Sequence, residues 1–584
     1  MKKLICTTLL VETSPQGIPL GAACIASAIK ASQVTKGKYD VELVDFSAED
    51  PEIILASQNG GERAVASFIA QKLAGKEADF ACFSVYVWNR NVLTLAAGEL
   101  KKLLPKCICI AGGPEVTAAP TSFGNSFDFT TAGQGELATV QLLSEIESGV
   151  DSSEIPDNIS GIYVPENSSL EKKDENLSAD GKKSFSDGGT SESRKIKRAV
   201  PCPVEACPSP YLDGTIDPSK YGGALWELAR GCPFKCSYCY ESKGEKKIAY
   251  FPMERLEKEI ELFARKNIPQ VFVLDPTYNA SKERAIKMLR LIGKKTPDTF
   301  YYFEARAEFI DRELAKAFSR VNCALQIGLQ SANPAVLKNV HRTLDKKLFV
   351  KNIGFLNEEG VTFGFDLIYG LPGDNFDGFC ESIDFALSLY PNNLELFCLS
   401  VLPGTDLHDA ASGFGLEWEK NPPYHVLRTP KFSSQDLEKC GKLSSAVNLF
   451  YNDGRAVPWL NSVLYPLKEK PSCFFRDFAN WLEKLPENQK KDLEKLQLEF
   501  VRKKFRKNRL EKFYPAAEDL IKMHSALGKC TFDGSESLFS TNYHPDDIMS
   551  EYGTDLIFFT ENASRQKCRV KVFQSGNGPD WKIL

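Results

Sequence analysis

Histidine is nearly absent. Five occur in 584 residues, and none lies ahead of His341. The N-terminal half therefore supplies no imidazole of its own to ligate a metal or relay a proton. No apolar run approaches the roughly 18 residues that a membrane-spanning helix needs. The run after Met1-Lys2-Lys3 is too short for a secretory signal before Glu12 interrupts it. Both absences lead us to expect a cytoplasmic protein without a membrane partner. The net charge of −5 offers no overall basic field, so nucleic acid is not an expected partner. Cysteine is not lacking. Seventeen are scattered along a large chain, which reads as buried thiols of a reducing compartment plus any that bind metal.

With 43% hydrophobic and 26% charged residues the composition is that of a globular protein, and 584 residues exceed a single core. The expected class is α/β. In residues 1–163, apolar runs at Leu4–Val11, Val41–Asp45, Phe80–Ser84 and Cys107–Ala111 alternate with helix-length segments. This pattern predicts a Rossmann-like doubly wound parallel sheet. Ligands of such sheets sit beyond the strand C-termini, where Ser84-Val85-Tyr86, Gly112-Gly113-Pro114 and Gly133-Gln134-Gly135-Glu136 fall. Residues 164–207 are dominated by Ser, Lys, Glu, Asp and Gly, and predict a disordered low-complexity linker. Strand–helix alternation resumes over 208–430, with runs at Val271–Leu274, Phe300–Phe303, Cys323–Leu329 and Phe363–Tyr369. Each closes on polar or glycine residues, the layout of a partial (β/α)6 barrel. Residues 431–584 predict a mostly helical region with an irregular polar tail that holds two short strand-like runs. Its first helix opens on a capping-box pair, Ser433 and Asp436.

Cys232-Pro-Phe-Lys-Cys236-Ser-Tyr-Cys239 carries the chemistry. Three thiols on one loop suit three irons of a [4Fe-4S] cluster, since thiolates are soft, electron-rich donors. Stopping at three leaves one iron open, as in a catalytic metal site. The alternatives are unrelated buried cysteines, or a structural zinc loop completed by Cys202 or Cys207.

This loop, with Tyr238 before its last cysteine and Ala224-Leu225-Trp226-Glu227-Leu228 ahead of Arg230-Gly231, resembles the signature of radical S-adenosylmethionine (SAM) enzymes. Gln326-Ile-Gly-Leu-Gln330-Ser331 and Asp366-Leu-Ile-Tyr-Gly370-Leu-Pro-Gly373 resemble later strand ends of that family. The resemblance implies a cluster held by Cys232, Cys236 and Cys239 whose open iron binds the amino and carboxylate groups of SAM. One electron then cleaves SAM to methionine and a 5′-deoxyadenosyl radical, which abstracts hydrogen from a substrate. It further implies Tyr238, Glu304, Arg306, Gln330, Ser331 and Arg342 as SAM contacts. The alternative for Glu304 and Arg306 is an internal salt bridge.

A doubly wound domain ahead of such a barrel resembles the cobalamin module of cobalamin-dependent radical SAM enzymes. The likeness is carried by Pro19-Leu20-Gly21, Asp45, Ser84-Val85-Tyr86, Ala111-Gly112-Gly113-Pro114 and Gly133-Gln-Gly-Glu136. It implies cofactor contacts from Ser84, Tyr86, Gly112, Gly113, Gly133, Gly135 and Glu136. Having no histidine, the domain cannot supply an imidazole below the cobalt. Glu12-Thr-Ser-Pro-Gln-Gly17 after the first strand also lacks the Gly-x-Gly-x-x-Gly of a dinucleotide site.

The implied function is cobalamin-dependent radical chemistry, with methylation of an unactivated carbon as the leading reaction. An electron donor such as flavodoxin or ferredoxin follows from it. The substrate, a small molecule or peptide, is not readable and no catalytic residue is assigned; the strand ends Asp275-Pro276 and Asp366, with Tyr278 and Tyr369, read either as its lining or as caps of their strands. One alternative is a methylthiotransferase-like enzyme, which requires a second cluster from N-terminal cysteines. Another is a non-catalytic cobalamin or redox sensor. The basic run Arg502–Arg509 reads either as a contact for an acidic partner or RNA, or as a solvated helix face.

Overall fold

The computed structural model describes residues 1–165, 196–241, 247–486, 489–576 and 578–584. The first sheet comprises β1 (Lys2–Leu10), β2 (Tyr39–Ser47), β3 (Phe80–Ser84), β4 (Ile108–Gly112), β5 (Phe129–Thr131) and β6 (Ile162–Tyr163). Their order is β2-β1-β3-β4-β5-β6. The first five run parallel, and only β6 is antiparallel. From Leu4 to Leu10 every residue of β1 is buried, as a central strand covered on both faces requires. Ile5, Leu9 and Phe83 join one core with Ile69 and Leu93, whereas Leu4, Cys6 and Phe80 join another with Ala26 and Leu142. The order reverses between β1 and β3. That crevice is the topological switch point at which doubly wound sheets bind ligands.

The second sheet begins with β7 (Ala224–Trp226), followed by a short antiparallel pair, β8 (Ala229–Arg230) and β9 (Ala249–Tyr250). It continues through β10 (Gln270–Val273), β11 (Phe300–Ala305), β12 (Cys323–Gln330), β13 (Thr362–Tyr369) and β14 (Asn393–Cys398). The order β14-β13-β12-β11-β10-β7 is parallel throughout, giving the expected six-stranded partial barrel. Alternation sorts its side chains. Phe303 packs on Phe318 of helix Arg312–Phe318, and Phe365 on Phe349 of helix Lys346–Glu358. Glu304 and Asp366, one residue on, therefore face the lumen. The free edge at β14 is covered. Asn452 accepts from the Leu394 N–H and donates to its carbonyl, both at 3.0 Å, in place of a seventh strand.

The C-terminal helices Ser434–Val447, Pro471–Leu482, Leu493–Lys507 and Tyr514–Asp533 lie where expected, and Ser433 with Asp436 forms the capping box. After a small hairpin of β15 (Glu417–Trp418) and β16 (Val426–Arg428), the tail differs from expectation. It is an antiparallel sheet of β17 (Ser537–Thr541), β18 (Cys568–Ser575) and β19 (Gly578–Ile583). Cys568, Val570 and Val572 are buried while Arg569 is exposed, a period-two pattern hidden within a polar composition. The basic run is partly absorbed. Lys504 is buried between Glu469 and Asp477, at 2.7 and 2.8 Å.

Of the expected linker, residues 166–195 lie outside the described residues. Residues 196–207 are packed, contrary to expectation. The Ala199 N–H donates to the Ala132 carbonyl at 2.7 Å, and Ala199, Cys202, Val204 and Cys207 are buried. Small apolar residues that complete a sheet end fold despite polar surroundings.

Candidate functional site

The cysteine loop leaves β8 through Gly231, whose φ of 92° suits glycine. Its middle is pinned from two sides. The Ser237 N–H donates to the Val340 carbonyl at 3.1 Å, and the Ser237 carbonyl accepts from the Leu407 N–H at 2.8 Å. Cys236 is buried, whereas Cys232 and Cys239 are half-buried. Burial raises the Cys232 thiol, and the Phe234 N–H and Thr277 beside it act in the opposite direction. Among the described residues no His, Cys, Asp or Glu group is arranged around a single ion. A cubane differs, because each thiolate takes its own iron. Cys202 and Cys207 are engaged with one another, the Cys207 thiol lying 3.6 Å from the Cys202 carbonyl.

Around this loop stand the residues singled out at the strand ends. Arg342 donates to the Tyr238 hydroxyl at 3.2 Å and to the Gly328 carbonyl at 2.6 Å. Gln330 sits at a bulge of β12 with φ of 66°. Arg306 lies over the Phe234 ring at 3.8 Å and pairs with Glu308 at 2.6 Å, so the Glu304–Arg306 bridge is not made. The Arg306 Nε, Arg342 Nε, Gln330 Oε1 and Ser237 Oγ are buried without a partner. Unpaired buried polar atoms are costly, and their gathering fits a polar ligand such as SAM. Glu304 is open to solvent within the concave mouth. Enough protein surrounds it that desolvation, reinforced by Asp366 and Glu241, pushes its carboxyl up to about 7. Ser331 is turned away, its hydroxyl accepting from the Asn333 N–H at 3.1 Å and facing Ser382.

Asp275 caps strand ends, accepting from the Leu228 and Ala229 N–H groups at 2.9 Å each. Tyr278 is a core residue. Sequence reasoning passed over Gln326, whose Nε2 donates to Asp366 at 2.5 Å, and Glu395, paired with Asn393 at 2.8 Å. Only the strand register brings these side chains together.

At the edge of the first sheet, Ser84 is buried and its carbonyl accepts from Thr8 at 2.8 Å. Tyr86 stacks on Trp88 with centroids 4.6 Å apart, and the indole N–H is anchored on the Leu9 carbonyl at 3.1 Å. Trp88 is 52% exposed, a flat platform that the sequence reading did not single out. Gly112 leads into Gly113, where φ is 108° and a Cβ would fall 2.4 Å from the Val85 carbonyl oxygen. Gly133 has φ of 102°. At Gly135 a Cβ would fall 2.8 Å from Ile25. An uncharged, glycine-lined edge with an aromatic shelf fits a large planar cofactor, and no histidine belongs to it.

Glu136 does not face this edge freely. Its carboxylate meets Arg230 at 2.8 Å, and both side chains are buried. Arg230 also grips Glu227 at 2.9 and 3.1 Å and the Gln134 Oε1 at 3.0 Å. A second tie joins Glu115 to the Tyr424 hydroxyl at 2.8 Å and to Arg90 at 2.9 Å. The glycine-rich edge is thus locked to the barrel two residues ahead of Cys232.

Residues 226–386 match the family described as the radical SAM superfamily. Residues 412–525 match a family described as a protein of unknown function, DUF4080. The chain is 26% identical over 417 residues to the cobalamin-dependent radical SAM methyltransferase TokK of Streptomyces tokunonensis, covering 66% of this chain and 55% of that one. It is 25% identical over 373 residues to 2-(S-pantetheinyl)-carbapenam-3-carboxylate methyltransferase of Streptantibioticus cattleyicolor, covering 58% and 50%. The chain thus matches about half the length of these relatives. It shares its fold with the cobalamin-dependent SAM radical enzyme OxsB, solved with aqua-cobalamin bound. The TM-score is 0.57 at 15% identity, over 97% of this chain and 85% of that one. Among the described residues no helix is long and apolar enough to cross a membrane.

The methylthiotransferase alternative requires a second N-terminal cysteine set. Cys6 and Cys82 instead face each other across β1 and β3, and Cys107 and Cys109 are buried.

Proposed function

We propose that this radical SAM chain is a cobalamin-dependent methyltransferase acting on an unactivated carbon of a cytoplasmic substrate. The observation that carries the reading is the Glu136–Arg230 tie, which holds the glycine-rich edge against the cysteine loop. Cys232, Cys236 and Cys239 would hold the cluster, on a loop pinned at Ser237 by Val340 and Leu407. Tyr238 and Arg342 brace one another at the rim, where Arg306, Gln330 and Glu304 frame the position for SAM. Gly112, Gly113, Gly133 and the Tyr86–Trp88 shelf would receive the corrin without a histidine from this domain. When bound, the cluster with SAM supplies a carbon-centred radical oxidant, and cobalamin supplies a transferable methyl group. The pinned loop keeps the thiols in register, and the Arg230 network ties the glycine-rich edge to the barrel. A reducing partner such as flavodoxin or ferredoxin would deliver the electron.

The test is anaerobic purification from cells supplied with cobalamin, reconstitution, and visible spectroscopy. Wild type should retain a corrinoid with a base-off band, and SAM should be cleaved reductively. Replacing Cys232, Cys236 and Cys239 by Ala should bring cluster iron to background while leaving the corrinoid bound. A cluster without retained corrinoid would remove cobalamin from the reading.

A further inference from the structure

The outer side of the cysteine loop is built unlike the side that faces the lumen. Between Cys232 and Cys236 the loop puts Pro233 and Lys235 in solvent, with Phe234 half-buried. The Phe234 ring meets Phe309 with centroids 5.9 Å apart, so the short turn Ala307–Phe309 continues the surface. That turn is fixed to helix Lys346–Glu358, where the Asn352 side chain donates to the Ala307 carbonyl at 2.9 Å. Leu348 stands one helical turn before Asn352 on the same stripe, with Lys351 beside it. Further along the loop, the hydrogen bond from Ser237 to Val340 brings in the turn that carries Lys338 and His341. One continuous face therefore runs from the cysteine loop to this helix.

Two independent properties mark it. Lys235, Lys338, Lys347 and Lys351 are exposed, and among the described residues none of them forms a salt bridge. The carboxylates nearby are already engaged. Glu308 pairs with Arg306, Asp311 and Glu313 with Lys282, and Glu358 with Arg312. Asp345 caps the helix, accepting from the Lys347 and Leu348 N–H groups. The face is thus left positive on a chain whose net charge is −5. Among these lysines Phe309 and Leu348 are 40% and 42% exposed, although a merely solvated face has no use for large apolar side chains. An apolar centre ringed by charge of one sign is the makeup of a transient protein interface. The other approaches to the thiols are occupied. The lumen side is the SAM frame, and past Cys239 the chain turns toward the first domain. There a Cβ at Gly404 would fall 3.3 Å from the Tyr240 ring and 3.4 Å from Ala118.

We propose that this face docks an acidic one-electron carrier, a flavin or iron–sulfur protein, whose carboxylates meet Lys235, Lys338, Lys347 and Lys351 around an apolar contact with Phe309 and Leu348. The inference rests on the radical SAM reading and adds to it where the reducing partner binds. One electron passes from the carrier's reduced centre, which is left oxidised by one electron, to the cluster on the three cysteines. No bond is made or broken in that step. The unpaired lysines steer the carrier to the cysteine loop, so association depends on ionic strength.

The probe is a flavodoxin, titrated in its oxidised form into the anaerobically reconstituted enzyme by calorimetry, and used in its hydroquinone form to reduce the cluster in stopped flow. Dithionite, which needs no docking surface, is the comparison. Wild-type affinity for flavodoxin should fall at least about tenfold between about 0.05 M and about 0.5 M salt. Lys338→Glu with Lys351→Glu should weaken binding and slow reduction by flavodoxin at least about tenfold, and leave reduction by dithionite unchanged. Lys235→Glu alone should act in the same direction to a smaller degree. Arg506→Glu with Lys507→Glu, on the other basic run, should change neither. Binding indifferent to salt, or to the lysine reversals, overturns the inference. So does an equal loss in the Arg506 and Lys507 variant, which would make the effect one of overall charge. If the reversals slow dithionite as much as flavodoxin, these lysines support the cluster itself and the docking surface falls. It falls also if a single-stranded oligoribonucleotide binds wild type more tightly than flavodoxin does and is released by the same reversals. Calorimetry reads docking whether or not a cluster assembles. Protein that assembles no cluster but binds flavodoxin through these lysines therefore ends the earlier reading and leaves the docking surface standing.

Discussion

The two parallel sheets meet at their ligand-binding edges but use carboxylates in opposite ways. On the first sheet, Glu115 and Glu136 are 5% and 6% exposed, and both are engaged across the domain boundary by Tyr424 and Arg230. What remains on that edge is glycine, tyrosine and tryptophan, without charge. In the barrel, Glu304 and Asp366 face the lumen without a salt-bridge partner among the described residues, and both are raised well above ordinary carboxyl values. Burial with a cation makes a carboxylate a structural tie. A carboxylate left at a concave mouth without a cation stays available to a ligand that supplies the missing charge or proton.

The sharpest way to break this comparison is to remove the cation from the first sheet's tie. Arg230→Met leaves Glu136 and Glu227 buried together without a guanidinium. Desolvation already drives Glu227 upward even beside Arg230. The expected loss is about 3–5 kcal/mol in denaturant unfolding, the usual result of orphaning a buried charge. Adding Glu136→Gln should recover part of it, since the amide tolerates burial unpaired better than the carboxylate does. A loss below about 1 kcal/mol would show that Glu136 is as free as Glu304, and the contrast between the edges would vanish.

Asp275 sharpens the comparison from within the barrel, because its carboxylate is buried against backbone N–H groups and not against a cation. Desolvation outweighs the Leu228 and Ala229 hydrogen bonds and pushes it up to about 7. The ordinary unfolded value is about 3.9, so between roughly pH 4 and 7 the folded state holds a proton that the unfolded state has released. Stability due to this group is therefore present below about pH 4 and lost as pH rises toward 7. Asp275→Asn cannot titrate. Its unfolding free energy should fall less over that interval, by on the order of 2–4 kcal/mol relative to wild type. Parallel curves for the two proteins would refute the assignment.

Much of this arrangement was legible in sequence, and the limit has a physical form. Phe80–Ser84 was read to the residue because five buried apolar or small residues between turns have one good conformation. The cysteine loop was legible because its spacing is local. Glu136 was read as a cofactor contact, but its partner Arg230 lies far along the chain, and no local pattern announces an ion pair across domains. The lumen was legible only at Asp366, read as lining the site or capping its strand, for the same reason. Gln326, Asp366 and Glu395 look unremarkable one by one and become a site only through parallel register. Of the C-terminal sheet only two strand-like runs were legible, because alternation with Arg569 and Lys571 diluted Val570 and Val572.

The smallest effect tests the second tie. Tyr424 donates its hydroxyl to Glu115, which Arg90 also holds, so Tyr424→Phe removes one hydrogen bond and leaves the ion pair in place. A net loss of about 1–2 kcal/mol is expected, in the range for a bond to a charged acceptor that keeps another donor. Glu115→Gln in the Tyr424→Phe background should then cost little more from this contact, because the two groups no longer meet. The two ties would be unequal: one is a buried charge pair whose cation has no substitute, the other a hydrogen bond added to a pair already made. If Tyr424→Phe instead costs as much as Arg230→Met, Arg90 does not satisfy Glu115, and the tyrosine hydroxyl is what makes burial of that carboxylate tolerable.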